Sequence, residues 1–409
     1  MKKVILLVLT LCLSLSCGTA GLLLIQGSGK PDTFHNVNTS QVTTLSTVIA
    51  DSGMSKYIAS VPTGSYLSIQ NHFEEEVVIE SKPQLDYGFE LPVKGATGYG
   101  VIAMNLHKAD GIKTPRTGVV GVGVPFEIIG DGKTCFNIRL ENGTTGWVTK
   151  NYTMINLPDV IPSIVYKNSN ASASLFRSHG KDLSVTGEKL YDSLSYNARL
   201  EKDEYTMPVL FNMAVKIAAV QHDAMLEGNT LVLYEGYRPM SAQTATKNAL
   251  AALMSDDSSI RRSINSWGSS WFIANGVSNH QQGYAIDVSL ASITSVDTLE
   301  YGSISLKVPR DCEEYEMPTP IHELSPAAAA LTHGVNSLSP TAWKSVPAAK
   351  TMNNSAFLLQ RYCVDNGLTP LAFEWWHFND LDARRLTGGA GKGQFVPSVN
   401  LSAKYEFEI

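Results

Sequence analysis

Ser278-Asn279-His280-Gln281-Gln282-Gly283-Tyr284-Ala285-Ile286-Asp287, followed far downstream by Glu374-Trp375-Trp376-His377, decides how this chain is read. Two histidines and one aspartate can fill three corners of a zinc tetrahedron and leave the fourth to water. A glutamate three residues before the second histidine stands where it can take that water's proton, so the set points to metal-assisted hydrolysis. His280 and Asp287 are seven residues apart, and on one unbroken strand an odd offset would turn them to opposite faces. Gly283 resolves the conflict if His280 ends a loop and Asp287 lies in the strand after it, over residues 284–290. Glu374 and His377, three apart, need a twist or a strand end to reach one pocket.

Working outward, residues 203–227 carry Met213, Ile217, Val220 and Met225 at helical spacing, with Gly228 as a stop. Residues 231–234 read as a strand and 241–254 as a second helix. Residues 356–366 form a third helix closed by Gly367, after which a strand returns towards Glu374. Helices and strands that do not alternate regularly predict an α+β domain over residues 157–409. Glu235-Gly236-Tyr237-Arg238-Pro239 directly follows a strand. An arginine fixed there by proline can aim a bidentate donor at a developing oxyanion.

Residues 94–156 differ in kind. Short apolar runs beginning at Gly100, Gly118, Phe126, Phe136 and Gly146 are split by glycine turns, which predicts five strands in a small all-β barrel. Glu141-Asn142-Gly143 predicts a hairpin whose Asn-Gly pair supplies the positive φ angles of a type I′ turn.

Two resemblances follow. Leu140-Glu141-Asn142-Gly143-Thr144-Thr145-Gly146-Trp147-Val148 resembles the bacterial SH3 domain, a module that commonly attaches enzymes to the cell wall. Gly236-Tyr237-Arg238-Pro239, Ser278-x-His280-x6-Asp287 and Glu374-Trp375-Trp376-His377, in that order and with their internal spacing intact, resemble the VanX-type zinc D-alanyl-D-alanine dipeptidases. This second resemblance implies one zinc per chain bound by His280, Asp287 and His377. It also implies Glu374 as general base and Arg238 as transition-state donor. Ser278 would hydrogen-bond near the substrate. One departure stands out in Met317-Pro318-Thr319-Pro320-Ile321-His322-Glu323: the family usually has aspartate where His322 stands, to hold the substrate's free ammonium. Either Glu323 takes over that contact or a free amino terminus is not required. His322 and His333 read as structural or rim residues.

Lysines and then an apolar run open the chain, so residues 1–25 read as an export signal or a retained anchor. Cys17 makes a lipoprotein the less favoured third reading. Residues 26–93 read as linker and lead-in, with a short helix around 42–50. The remaining Cys135, Cys312 and Cys363 are too few for a disulfide framework and read as buried small hydrophobes. A net charge of −6 with 17% charged residues leaves no basic footprint for nucleic acid. The expectation is an enzyme of the cell envelope that splits D-alanyl-D-alanine. The alternatives are a D,D- or L,D-carboxypeptidase trimming peptidoglycan stem peptides, and a non-catalytic wall binder.

Overall fold

The computed structural model describes residues 86–168, 175–178, 181–184, 190–265, 273–274 and 276–398. The segment read as an export signal or anchor, most of the stretch read as linker and the helix expected around 42–50 lie outside the described residues. No helix among the described residues is long and apolar enough to cross a membrane. The chain is a mixed α+β protein built on two large, mainly antiparallel sheets with few helices, and the described residues all belong to one compact unit, His72–Ile409.

The first sheet draws on strands β1 (Thr97–Gly100), β2 (Met104–His107), β3 (Arg116–Val120), β4 (Pro125–Asp131), β5 (Cys135–Leu140), β6 (Thr145–Thr149) and β7 (Thr153–Asn156). Thus seven strands stand where five were expected, and the run beginning at Gly100 is a bend between β1 and β2 rather than a strand. The hairpin at Asn142-Gly143 is present with a different turn. Gly143 donates to the Leu140 carbonyl at 2.9 Å, and Leu140 donates to that of Thr144 at 2.9 Å. Gly143 takes φ +81° while Asn142 does not enter the positive-φ region. A three-residue loop of this kind, a type I turn closed by a left-handed glycine, needs only one such residue where type I′ needs two.

Next come β8 (Val165–Tyr166) and two small hairpins, β9 (Leu175–Ser178) with β10 (Lys181–Ser184) and β11 (Leu194–Asn197) with β12 (Lys202–Tyr205). Strand β13 (Pro208–Leu210) then pairs with β7 and completes an eight-stranded sheet of order β13-β7-β1-β4-β5-β6-β2-β3. Residues on both sides of Asn156 therefore share one sheet and one apolar core.

Helix α1 (Phe211–Leu226) is shorter than the helical spacing suggested, because Pro208 and the polar run before it go to β12 and β13. It leads to β14 (Asn229–Glu235), α2 (Met240–Asp256), α3 (Ser258–Asn265), β15 (Ala285–Tyr301) and β16 (Ile304–Glu314). Helix α4 (Asn354–Asp365), β17 (Thr369–Leu371), β18 (Glu374–Asn379) and α5 (Leu381–Thr387) follow. The second sheet runs β17-β18-β15-β14-β8, with β16 paired to β15. On β15, Ile286, Val288 and Leu290 point into the apolar core with Met213, Ile217 and Val220 of α1. The period of two then turns Asp287 to the opposite face. Beyond Ile293 a register shift bends β15 into an arm paired only with β16. Its end packs Tyr301, Ile304 and Leu306 against Leu91 and Leu200, and the Arg199 guanidinium donates to the Tyr301 hydroxyl at 2.9 Å.

The turn carrying His280 is fixed by Gly283, which takes φ +76° and whose amide oxygen accepts from Leu210 at 2.8 Å. A β-carbon on Gly283 would stand 2.8 Å from the Met154 sulfur. Gly283→Ala should therefore lower stability by about 2 kcal/mol, the cost of a left-handed alanine plus displacement of Met154. Urea unfolding measures it, and an unchanged midpoint would contradict the account.

Candidate metal centre

Sheet register assembles the site. Glu235 pairs with Asp287 across β14 and β15, and Asp287 pairs with His377 across β15 and β18. Directly opposed residues share a face, so these three side chains form one row across the sheet. His280 joins from the turn before β15, as the Gly283 reading required. Glu374 starts β18 next to a register shift between β17 and β18. That irregularity lets it share a pocket with His377, and Glu374 Oε2 lies 3.5 Å from His377 Nδ1.

Three donor atoms converge. His280 Nε2 lies 3.2 Å from His377 Nδ1, His377 Nδ1 lies 3.0 Å from Asp287 Oδ1, and His280 Nε2 lies 3.4 Å from the same oxygen. Ligands about 2.0–2.1 Å from a tetrahedral zinc stand about 3.3 Å apart, so this triangle has the size of one face of such a site. His280, Asp287 and His377 are all buried.

The second nitrogen of each ring settles its tautomer. His280 Nδ1 lies 2.7 Å from the Gly236 carbonyl, which can only accept, so Nδ1 carries the proton and Nε2 offers a lone pair. His377 Nε2 lies 3.1 Å from Asn379 Oδ1, an oxygen already accepting from the Asn279 amide at 2.7 Å, so Nδ1 is the free lone pair there. Two imidazole lone pairs and a carboxylate oxygen thus face one another, an arrangement that a cation stabilises and that neutral packing does not. His, His and Asp in this geometry fit zinc.

With a proton in place of the cation, the same triangle holds together differently: burial favours a neutral Asp287, but a charged His280 and hydrogen bonds from His280, His322 and His377 then outweigh it and hold the carboxyl well below its usual range. Glu374 goes the other way. Burial pushes it up to about 8, with Asp287 and Glu235 adding to the rise against His377 and Arg238. A carboxyl raised so far is poised to hold and release a proton near neutral pH, and a dication beside it would draw its value down.

Arg238 is less free than its motif suggested. Nε donates to Glu235 Oε1 at 2.8 Å, Nη2 is bonded to Glu235 Oε2, and Nη1 donates to Gln243 Oε1 at 2.7 Å. Glu235 thus occupies the bidentate edge, leaving one N–H on each terminal nitrogen for a substrate. Gln281 bridges the Arg238 carbonyl at 3.2 Å and accepts from the Ser278 amide at 2.6 Å. Ser278 Oγ is buried with no hydrogen-bond partner among the described residues. His322 and Glu323 are both buried, so the rim reading of His322 does not hold; His333 is exposed. Cys135 and Cys363 are buried free thiols, and Cys312 is only half-buried because it sits on the arm.

Behind the site runs residues 389–398. The Gly393 carbonyl accepts from the Met240 amide at 2.7 Å, and a β-carbon on Gly393 would collide with Gln281. Phe395 stacks on Tyr237 with ring centroids 4.4 Å apart and on Tyr99 of β1 at 5.8 Å. Sequence reading missed Glu235, Gln243 and Asn379 as site residues. Asn379 had a signal: two residues beyond His377 on one strand, it must share that face. No family model matches the chain, and no curated protein matches it.

Proposed function

We propose that this chain is an exported zinc metallopeptidase that hydrolyses D-alanyl-D-alanine to two D-alanines in peptidoglycan metabolism. In this reading residues 94–156 form a bacterial SH3-like barrel directed to the cell wall and residues 157–409 form the peptidase domain. The convergence of His280 Nε2, Asp287 Oδ1 and His377 Nδ1 within 3.0–3.4 Å of one another, with the Glu374 carboxyl alongside, carries the proposal.

His280, Asp287 and His377 would hold the ion. Bound there, zinc supplies a Lewis acid that polarises a carbonyl and makes water nucleophilic at neutral pH. Glu374 removes the proton from the attacking water and delivers it to the leaving amine nitrogen. Arg238, held by Glu235 and Gln243, turns its remaining N–H groups to the negative charge that develops on the carbonyl oxygen. Burial of the whole set strengthens each of these interactions.

A second reading, a carboxypeptidase trimming peptidoglycan stem peptides, is favoured by one observation. His322 Nε2 is engaged with Asp287 Oδ2 at 3.2 Å, so at this position no acidic side chain meets a free ammonium. D-alanine release from free D-Ala-D-Ala and from an N-blocked muramyl pentapeptide separates the two. We expect cleavage of the free dipeptide. Preference for the blocked substrate would move the assignment to the carboxypeptidase, and cleavage of neither by zinc-loaded protein would leave a wall-binding role.

A further inference from the structure

We propose that His322 is a positioning residue for Asp287: its Nε2–H, donated to Oδ2, reserves Oδ1 for the metal and holds the aspartate to one-oxygen ligation. The inference rests on the zinc reading above and concerns a residue outside the three ligands.

The two oxygens of Asp287 have separate surroundings. Oδ1 faces His280 Nε2 and His377 Nδ1 at 3.4 and 3.0 Å. Oδ2 lies 3.2 Å from His322 Nε2 and 3.8 Å from Arg238 Nη2. An ionised carboxylate only accepts, so the proton on this contact belongs to His322. Without it, rotation of the carboxylate would bring Oδ2 towards the ion and fill the position that a water or substrate oxygen needs.

His322 is held for this contact. It is 3% exposed, and its ring stands edge-on to Trp376, the neighbour of His377, with centroids 5.8 Å apart. Its own loop is tied to the same strand by a hydrogen bond from Trp375 Nε1 to Thr319 Oγ1 at 2.9 Å. Its backbone sits at φ +61°, one of three non-glycine residues in the positive-φ region among the described residues. A side chain in that region costs roughly 1–2 kcal/mol, and such strain persists where the surroundings impose it.

Glu235, Asp287 and His322 also lie close enough together to suggest a second metal site. Arg238 speaks against it. Its guanidinium grips Glu235 through two nitrogens and approaches Asp287 Oδ2, so a cation already occupies that side of the aspartate.

Two substitutions isolate the contact. Asparagine tolerates positive φ better than histidine but its amide falls short of Asp287, so His322→Asn removes the hydrogen bond while easing the backbone. Glutamine reaches about as far as histidine and restores a donor. The readouts are zinc affinity, by competition with a chromophoric chelator, and the visible absorption of cobalt-loaded protein, which reports coordination number. We expect His322→Asn to stay folded, to bind zinc about 10–100-fold more weakly, and to shift the cobalt spectrum from four- towards five-coordinate. His322→Gln should recover most of both. Unchanged affinity and spectrum in folded His322→Asn would overturn the proposal, as would a folded His322→Gln no better than the asparagine variant. Unaltered protein that takes up neither zinc nor cobalt would instead overturn the metal reading itself.

Discussion

Replacing Glu374 by glutamine should cut kcat on D-alanyl-D-alanine by about 10²–10⁴-fold, the usual contribution of a positioned general base, while the protein still binds zinc. The two results come apart because Glu374 stands beside the ligand triangle and not in it, with Oε2 at 3.5 Å from His377 Nδ1. The amide has the shape of the carboxyl and cannot take a proton. Since burial holds the natural side chain up to about 8, the neutral amide also fits the pocket without a new desolvation cost, so the fold should survive. KM should change little, as the lost interaction belongs to the transition state. Loss of zinc together with activity would show that Glu374 is a ligand. Activity near that of the natural protein would remove it from the mechanism.

What the sequence made legible was chemistry at short range. His280, Gly283 and Asp287 could be placed relative to one another because a glycine between a loop and a strand has few conformations to offer, and the structure puts that glycine at φ +76°. Glu374 and His377 were assigned to one pocket as a requirement, and an irregular pairing of β17 with β18 meets it. The row Glu235, Asp287, His377 was not legible, because strand register is set by partners distant in sequence. Glu235 therefore looked like an introduction to Arg238 when it is the residue that holds it. Nor could the approach of His322 to Asp287 be read, since it depends on how a loop 35 residues away folds back. The arm of β15 and β16 was legible and overlooked. Residues 299–308 alternate apolar and polar on either side of Gly302-Ser303, which is the pattern of a hairpin.

Stripping zinc with a chelator should abolish activity and lower the thermal transition by several degrees, and added zinc should restore both. The reason lies in the triangle. With Nδ1–H of His280 donated to Gly236 and Nε2–H of His377 donated to Asn379, the metal-free site leaves two lone pairs and a carboxylate oxygen within 3.4 Å of one another. The apo protein must either tolerate that repulsion or bind a proton there, and both cost stability. A ligand present at about a thousand times its dissociation constant stabilises the folded state by about 4 kcal/mol, far above the noise of a melting curve. His377→Ala opens the triangle, so its melting curve should be indifferent to zinc and its activity lost. His333→Ala, which removes an exposed imidazole far from any ligand role, controls for adventitious binding and should respond to zinc as the natural protein does. If the chelator changes neither melting nor catalysis, the three side chains are a satisfied polar core. If instead His377→Ala still responds to zinc, the ion sits elsewhere.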